Sequence, residues 1–271
     1  MTELNASDGS LVRILTGAGY GFDGPVGIAD DGTHVWVAST SGNSVTELNA
    51  GDGSLVRILT GAGYGFDGPV GIADDGTHVW VASTSGNSVT ELSASDGSLV
   101  RILTGASYDF SRPYVIADDG THVWVASTNG NSVTELNASD GSLIRTLTGA
   151  SYGFSYPAGI AVDGTHVWVT NVTGNSVTEM NASDGSLVRI LTGASYDFSG
   201  PRSIAPDGTH IWVTNATGNS VTKVNASDGS WVMTLNGPSY GFYGPWGMAA
   251  DGTHVWVTNS GGNSVTEVTA R

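Results

Sequence analysis

The chain has no cysteine and a single lysine, Lys223, among its 271 residues. The first absence rules out a disulfide framework and any thiolate metal site. Charged residues make up only 13% of the sequence and are unbalanced, nine Lys and Arg against 25 Asp and Glu, for a net charge of −16. Such a field repels phosphate backbones and anionic lipid, so neither nucleic acid nor a membrane is an expected partner. No run of about 18 apolar residues occurs, so no membrane-spanning helix is expected. The opening MTELNASDGS lacks the basic start and apolar stretch of a secretion signal. Scarce lysine, absent cysteine and many Ser, Thr and Asn lean toward an extracellular or periplasmic protein whose signal peptide lies outside this sequence.

Histidine is also rare, and its placement is the strongest signal present. It falls at His34, His78, His122, His166, His210 and His254, always 44 residues apart. The chain is therefore six copies of one unit with a seven-residue overlap. Within a unit, apolar Val35 and Val37 alternate with His34, Trp36 and Ala38, the period of a strand. Asp31-Gly32 reads as a hairpin turn joining this strand to the apolar run before it, and Gly51 to Gly53 as a turn between the last two. Four strands are expected at about 26–30, 34–39, 44–49 and 54–60. Single four-stranded sheets cannot bury both faces, but radial stacking can, so we expect a single all-β domain over residues 1–271: a six-bladed β-propeller with four antiparallel strands per blade. The recurrent Trp36, Tyr20 and Phe22 positions are assigned to packing between blades, and Gly27 and Ala29 to close approach of the innermost strands.

Thr2-Glu3-Leu4 matches Thr266-Glu267-Val268 one whole ring later. The ring is therefore expected to close by N- and C-terminal strands in the same blade, with SLVRIL as its outermost strand and residues 1–6 surplus and frayed. Blades one and two are identical over 24 positions, Pro25 to Leu48 and Pro69 to Leu92. The repeat is either recently amplified or partly engineered.

Pro-x-Gly-Ile-Ala-x-Asp-Gly, Val-Trp-Val-Thr-Asn and Gly-Asn-Ser-Val, best displayed from Pro157 to Val177, resemble the NHL-type and YVTN-type propeller repeats. The resemblance spans essentially the whole chain. It implies a fold shared by protein-interaction domains, sugar lactonases and lyases of the virginiamycin B type, without choosing among them. The Glu and Asn or Asp metal ligands of the lactonase-type propellers have no clear counterparts here.

Six equivalent histidines do not converge on one metal, because neighbouring sheets lie about 10 Å apart. Each histidine is expected to bond a turn aspartate or backbone group of its own blade. Function is better sought where the copies disagree. Before each inner strand they read FDGPVG, FDGPVG, FSRPYV, FSYPAG, FSGPRS and FYGPWG. Arg112, Tyr114, Tyr156, Arg202, Tyr243 and Trp246 all break the repeat there, at one mouth of the central channel, and are the candidate ligand-binding residues. The turn between strands two and three, with Asn171, Asn215 and Asn259 on the last three blades, should open on the same face. Aromatic faces, arginines and amides suit a carbohydrate, a peptide or a small carboxylate.

Two further departures stand out. On blade five Glu47 becomes Lys223 and Arg57 becomes Met233, which implies an exposed Glu–Arg pair across strands in the other blades; Trp231 beside Met233 makes an apolar spot. Asp30, Asp74 and Asp118 add acids at the opposite mouth, where a cation is conceivable. No cofactor, metal or catalytic set is assigned, and a monomer is expected. The first reading is a noncatalytic binding scaffold. The alternatives are a lyase or lactonase-type enzyme using the same mouth, and a repeat-symmetric structural protein with no ligand.

Overall fold

A computed structural model describes residues 1–270, and every long element in it is a strand. In blade one, strands Pro25–Asp30, His34–Ser39, Ser44–Asn49 and Leu55–Thr60 pair antiparallel in sequence order. The plan repeats from Pro69, Pro113, Pro157 and Pro201 as four-stranded sheets; from Pro245 the described residues give three strands, ending with Ser264–Thr269. This is a six-bladed β-propeller with a repeat of 44 residues. The chain divides into two compact units, Met1–Thr146 and Leu147–Arg271.

Local chemistry explains the turns. The Asp31 carboxylate accepts the backbone N–H groups of Thr33 at 2.7 Å and His34 at 2.6 Å, so the side chain does the work of a turn carbonyl. Asp52 accepts from the Ser54 N–H in the same way at 2.9 Å. Between blades, alternation decides what is buried. Trp36, Ala38 and Val45 on one face of blade one meet Ile72, Val79, Val81 and Leu92 of blade two, with Phe66 and Leu59 closing the layer. The same positions recur around Trp80 and Trp212. Tyr64 stacks on Phe66 with centroids 5.4 Å apart. Gly27 is required because a Cβ there would lie on the Val70 carbonyl of the next blade, the close approach expected of this position.

The N-terminal pairing differs from the sequence expectation. Leu11–Ile14 pairs with Thr2–Leu4 in a two-stranded hairpin, so residues 2–4 are a strand rather than a frayed end. Thr2–Leu4 carries the same Thr-Glu-hydrophobe pattern as the chain's last strand and lies only a short turn from Leu11. Closing that small loop costs little entropy, which favours the local partner. Glu3 and Arg13 form the ion pair of the repeat at 2.9 Å.

The cross-strand pair itself is where the sequence puts it: Glu47 lies opposite Arg57, 2.8 Å from its Nε. Its setting is a correction, because Glu47 is fully buried rather than exposed. Glu47 lies opposite Trp36 on the face of blade one that blade two covers, and burial raises the carboxyl's pKa despite Arg57 and His34. Each histidine Nδ1 sits 3.2–3.6 Å from the aspartate of its own turn, as expected.

Candidate functional site

The backbone brings the two variable segments of each blade together. In blade six the N–H of Ser260 donates to Gly244 at 3.0 Å and that of Gly261 to Tyr243 at 3.0 Å, so the turn after strand two rests on the connection that enters strand one. The next link runs between blades. Asn219 takes a left-handed conformation with φ 51° and accepts the Gly244 N–H at 2.8 Å; Asn87 does the same for the Arg112 N–H at 2.7 Å. Within each unit the Gly-Asn-Ser motif thus staples the variable connection to the blade before it, at Gly68 and Arg112 in the first and at Gly200 and Gly244 in the second.

In the second unit two of the candidate residues meet, with a third, Tyr243, on the same connection. The Arg202 guanidinium lies over the Trp246 ring, 3.4 Å from its centroid. Such stacking contributes about 0.5–2 kcal/mol and holds the guanidinium plane flat. Tyr243, three residues before Trp246, is 62% exposed and its ring lies on Gly261, where an added Cβ would come within 2.8 Å of the ring. The other blades carry Ser, Asn or Thr at that turn position, so Tyr243 and Gly261 changed together. Trp246 remains 40% exposed beside the stacked arginine. The second unit therefore presents two aromatic surfaces and a guanidinium on adjacent blades.

Tyr156 enters the same unit at the start of blade four, half-buried, its carbonyl accepting the Val172 N–H at 3.1 Å. In the first unit Arg112 is exposed and Tyr114, two residues on, is half-buried, its carbonyl against Gly71. Arg112 and Tyr156 share one feature that the sequence did not disclose. Both have φ 57°, where blades one, two, five and six place Gly24, Gly68, Gly200 and Gly244. A left-handed non-glycine residue costs about 1–2 kcal/mol. Two strained side chains among the candidate residues point to a use for those side chains. Arg112→Gly and Tyr156→Gly are each expected to raise stability by about 0.5–1 kcal/mol in urea unfolding, the strain relief exceeding the added chain entropy.

The asparagines of blades four to six are a correction. Asn171 and Asn215 are fully buried; each Nδ2 donates to a threonine hydroxyl of strand three, Asn171 to Thr178 at 3.0 Å and Asn215 to Thr222 at 2.9 Å. Asn259 repeats this with Thr266 at 3.0 Å. A side chain that long at a second-strand terminus folds back onto its own hairpin, so these amides brace the turn and do not face a ligand.

At the other end of the strands, a cleft of about 500 Å³ in the second unit is lined by Asp163, His166, Pro206, His210 and Asn225. One of about 380 Å³ lined by equivalent positions, including Asp31, His34 and His78, recurs in the first. Recurrence ties these clefts to blade packing. The extra acids lie at this end, and among the described residues no three His, Asp or Glu side chains are set to hold a metal ion. Burial, with Asp75 and Asp74 nearby, lifts Asp118 from 3.8 to about 6. A carboxyl whose folded pKa is raised loses stability as pH climbs from its unfolded value through the folded one. Asp118→Asn is therefore expected to stabilise the protein by about 1–2 kcal/mol at pH 7, discounted for partial exposure, and to make no difference near pH 3.5. Melting curves of both forms across that range check it.

No family model and no curated protein sequence matches the chain. Solved structures do. A catalytically inactive histidine-to-alanine variant of virginiamycin B lyase from Staphylococcus aureus, crystallised with quinupristin, superposes with a TM-score of 0.79 at 18% identity, over 100% of this chain and 87% of that one. A streptogramin B lyase gives 0.72 at 20% identity over 92% and 84%. U3-55K gives 0.77 at 13% identity over 99% and 88%. At these identities the likeness establishes the propeller fold.

Proposed function

We propose that the protein is a noncatalytic propeller that binds a carboxylate-bearing ligand at the connection between outer and inner strands, with Arg202, Trp246 and Tyr243 as its principal contacts. The observation that supports this most is the stack of Arg202 on Trp246, with an exposed Tyr243 on the connection that leads to Trp246. A guanidinium held flat recognises a carboxylate with two parallel hydrogen bonds, and exposed aromatic faces take the apolar side of a sugar ring or a peptide side chain. All six histidines, by contrast, are engaged with turn aspartates at the far end of the strands. The net charge of −16 gives no long-range attraction for an anion, so affinity rests on these short-range contacts. Tyr156 extends the proposed contact set within the second unit, and Arg112 and Tyr114 offer the same kind of group on the corresponding connection of the first.

Calorimetric titration with oligogalacturonates and with peptides bearing a free carboxy terminus tests this reading. Arg202→Ala is expected to weaken binding at least tenfold, since a charge-assisted hydrogen bond contributes about 1.5–3 kcal/mol. Unchanged affinity in the variant would remove the arginine from the site.

The lyase-type neighbours support a second reading, an enzyme acting through the same connections. Incubation with quinupristin, with and without Mg²⁺, separates the two. Chromatographic conversion of quinupristin would establish the enzyme; intact quinupristin and a melting temperature insensitive to Ca²⁺, Mg²⁺ and Zn²⁺ would favour the binder.

A further inference from the structure

At one second-strand position the two units differ. Blades one to three hold Ala38, Ala82 and Ala126 there, and blades four to six hold Thr170, Thr214 and Thr258. Thr170 and Thr214 are fully buried. A buried hydroxyl costs free energy unless it is hydrogen-bonded, so the partners of these two explain their presence.

Thr170 reaches the next blade. Its hydroxyl donates to the Arg202 carbonyl at 2.8 Å, in the space that a Cβ on Gly159 would fill. The same peptide is held at its other end, because the Ser203 N–H donates to the Thr214 hydroxyl at 2.8 Å. Thr214 then carries the link one blade further: its hydroxyl lies 3.3 Å from the Trp246 carbonyl and 3.4 Å from that of Ser203, two acceptors for its proton. The peptide of Trp246 is held in turn, the Gly247 N–H donating to the Thr258 hydroxyl at 2.9 Å. Hydroxyl and peptide thus alternate from blade four to blade six.

Strand pairing shows the consequence. In blade four Gly159 lies opposite Thr170, but in blade five the register passes from Pro201 to Ile204 and in blade six from Pro245 to Met248. The peptides after Arg202 and Trp246 have left the ladder and are held by threonine instead. Arg202 and Trp246 are the residues whose side chains stack, and Thr214 touches both of their peptides.

We propose that Thr214, with Thr170 behind it, is a positioning residue: it fixes the Arg202 and Trp246 backbones relative to each other and so lays the guanidinium on the ring before a ligand arrives. The role rests on the proposed binding of a carboxylate at these two side chains. A guanidinium already held in place loses less freedom on binding, and affinity gains by that difference. Alanine cannot supply the link, so the clamp belongs to the unit that carries the stack.

Thr214→Ala tests this, since blades one to three carry alanine at the same position of the same strand. Arg202 side-chain protons over the Trp246 ring face are expected to resonate upfield in the NMR spectrum, identified by their loss in Arg202→Ala. Thr214→Ala is expected to lose most of that upfield shift, and Thr214→Ser, which keeps the hydroxyl, to retain it. A purely structural role would lower the melting temperature and leave the shift in place. In calorimetric titration with trigalacturonate and with a free-carboxylate tripeptide, Thr214→Ala is expected to bind roughly three- to tenfold more weakly than the original. A shift absent from the original protein, or intact in Thr214→Ala, overturns the proposal. So does a variant that has lost the shift yet binds as tightly as the original. Carboxylate binding itself fails separately: no heat from the original protein with either probe, or Arg202→Ala binding as tightly, would remove it while the spectrum still decides the clamp.

Discussion

Replacing Lys223 with glutamate is expected to destabilise the protein by about 3–5 kcal/mol, although five of six blades carry glutamate at that position. The loss comes from the partner strand. Lys223 faces Met233, so the new carboxylate would be buried with no arginine to meet it. Lys223 is itself only 2% exposed; its ammonium donates to the Ala270 carbonyl at 2.8 Å and lies 4.8 Å from the centre of the Trp212 ring. In blade one's neighbour hairpin Arg13 makes the comparable bond, donating to the Gly51 carbonyl at 3.1 Å. Lysine on strand three thus replaces an arginine clamp that strand four of blade five does not have. Adding Met233→Arg to the glutamate variant rebuilds the pair seen at Glu179 and Arg189, 2.9 Å apart, and is expected to recover about 2–3 kcal/mol. Urea unfolding of the two single variants and the double gives the coupling directly; additive losses would show that the two positions do not communicate.

Trp80→Ala is the second large effect, an expected loss of about 3–5 kcal/mol from lost transfer energy and the cavity left behind. Trp80 is completely buried, and it packs among Ile116, Val123 and Val125 on the strands of blade three, which hold those side chains in place and keep them from collapsing into the space. Trp231→Ala provides the contrast. Its ring is 48% exposed on an outer strand, and the change is expected to stay within about 0.5 kcal/mol. Equal effects for the two would contradict the assignment of the recurrent tryptophans to packing between blades.

The histidine spacing and the alternation around Trp36 were enough to read the strands, their order and the number of blades, because both follow from backbone period and repetition alone. Gly27 and the Asp31 turn were legible for the same local reason. Three features were not. The burial of Glu47 depends on blade two covering the face that Glu47 shares with Trp36, and a charge in a strand looks solvent-facing in one dimension. Asn171 looked like a surface amide because nothing in the sequence shows it turning back onto Thr178. The strain at Arg112 and Tyr156 had a visible signal, a glycine position filled by larger residues, but the sign of φ comes only from the folded backbone. For the candidate site, the sequence located the variable connections, and the structure added which side chains meet: Arg202 with Trp246, and Tyr243 with Gly261.

The binding account stands or falls on whether the residues that break the repeat carry recognition. Restoring the repeat at three of them, Arg202→Val, Tyr243→Asp and Trp246→Val, leaves the blade cores untouched. The measurement is a side-by-side array screen of the original and restored proteins against acidic oligosaccharides and free-carboxylate peptides. The expected result is specific retention by the original and at least a tenfold loss in the restored form at equal melting temperature. Equal retention by both, or retention by neither, would contradict the account.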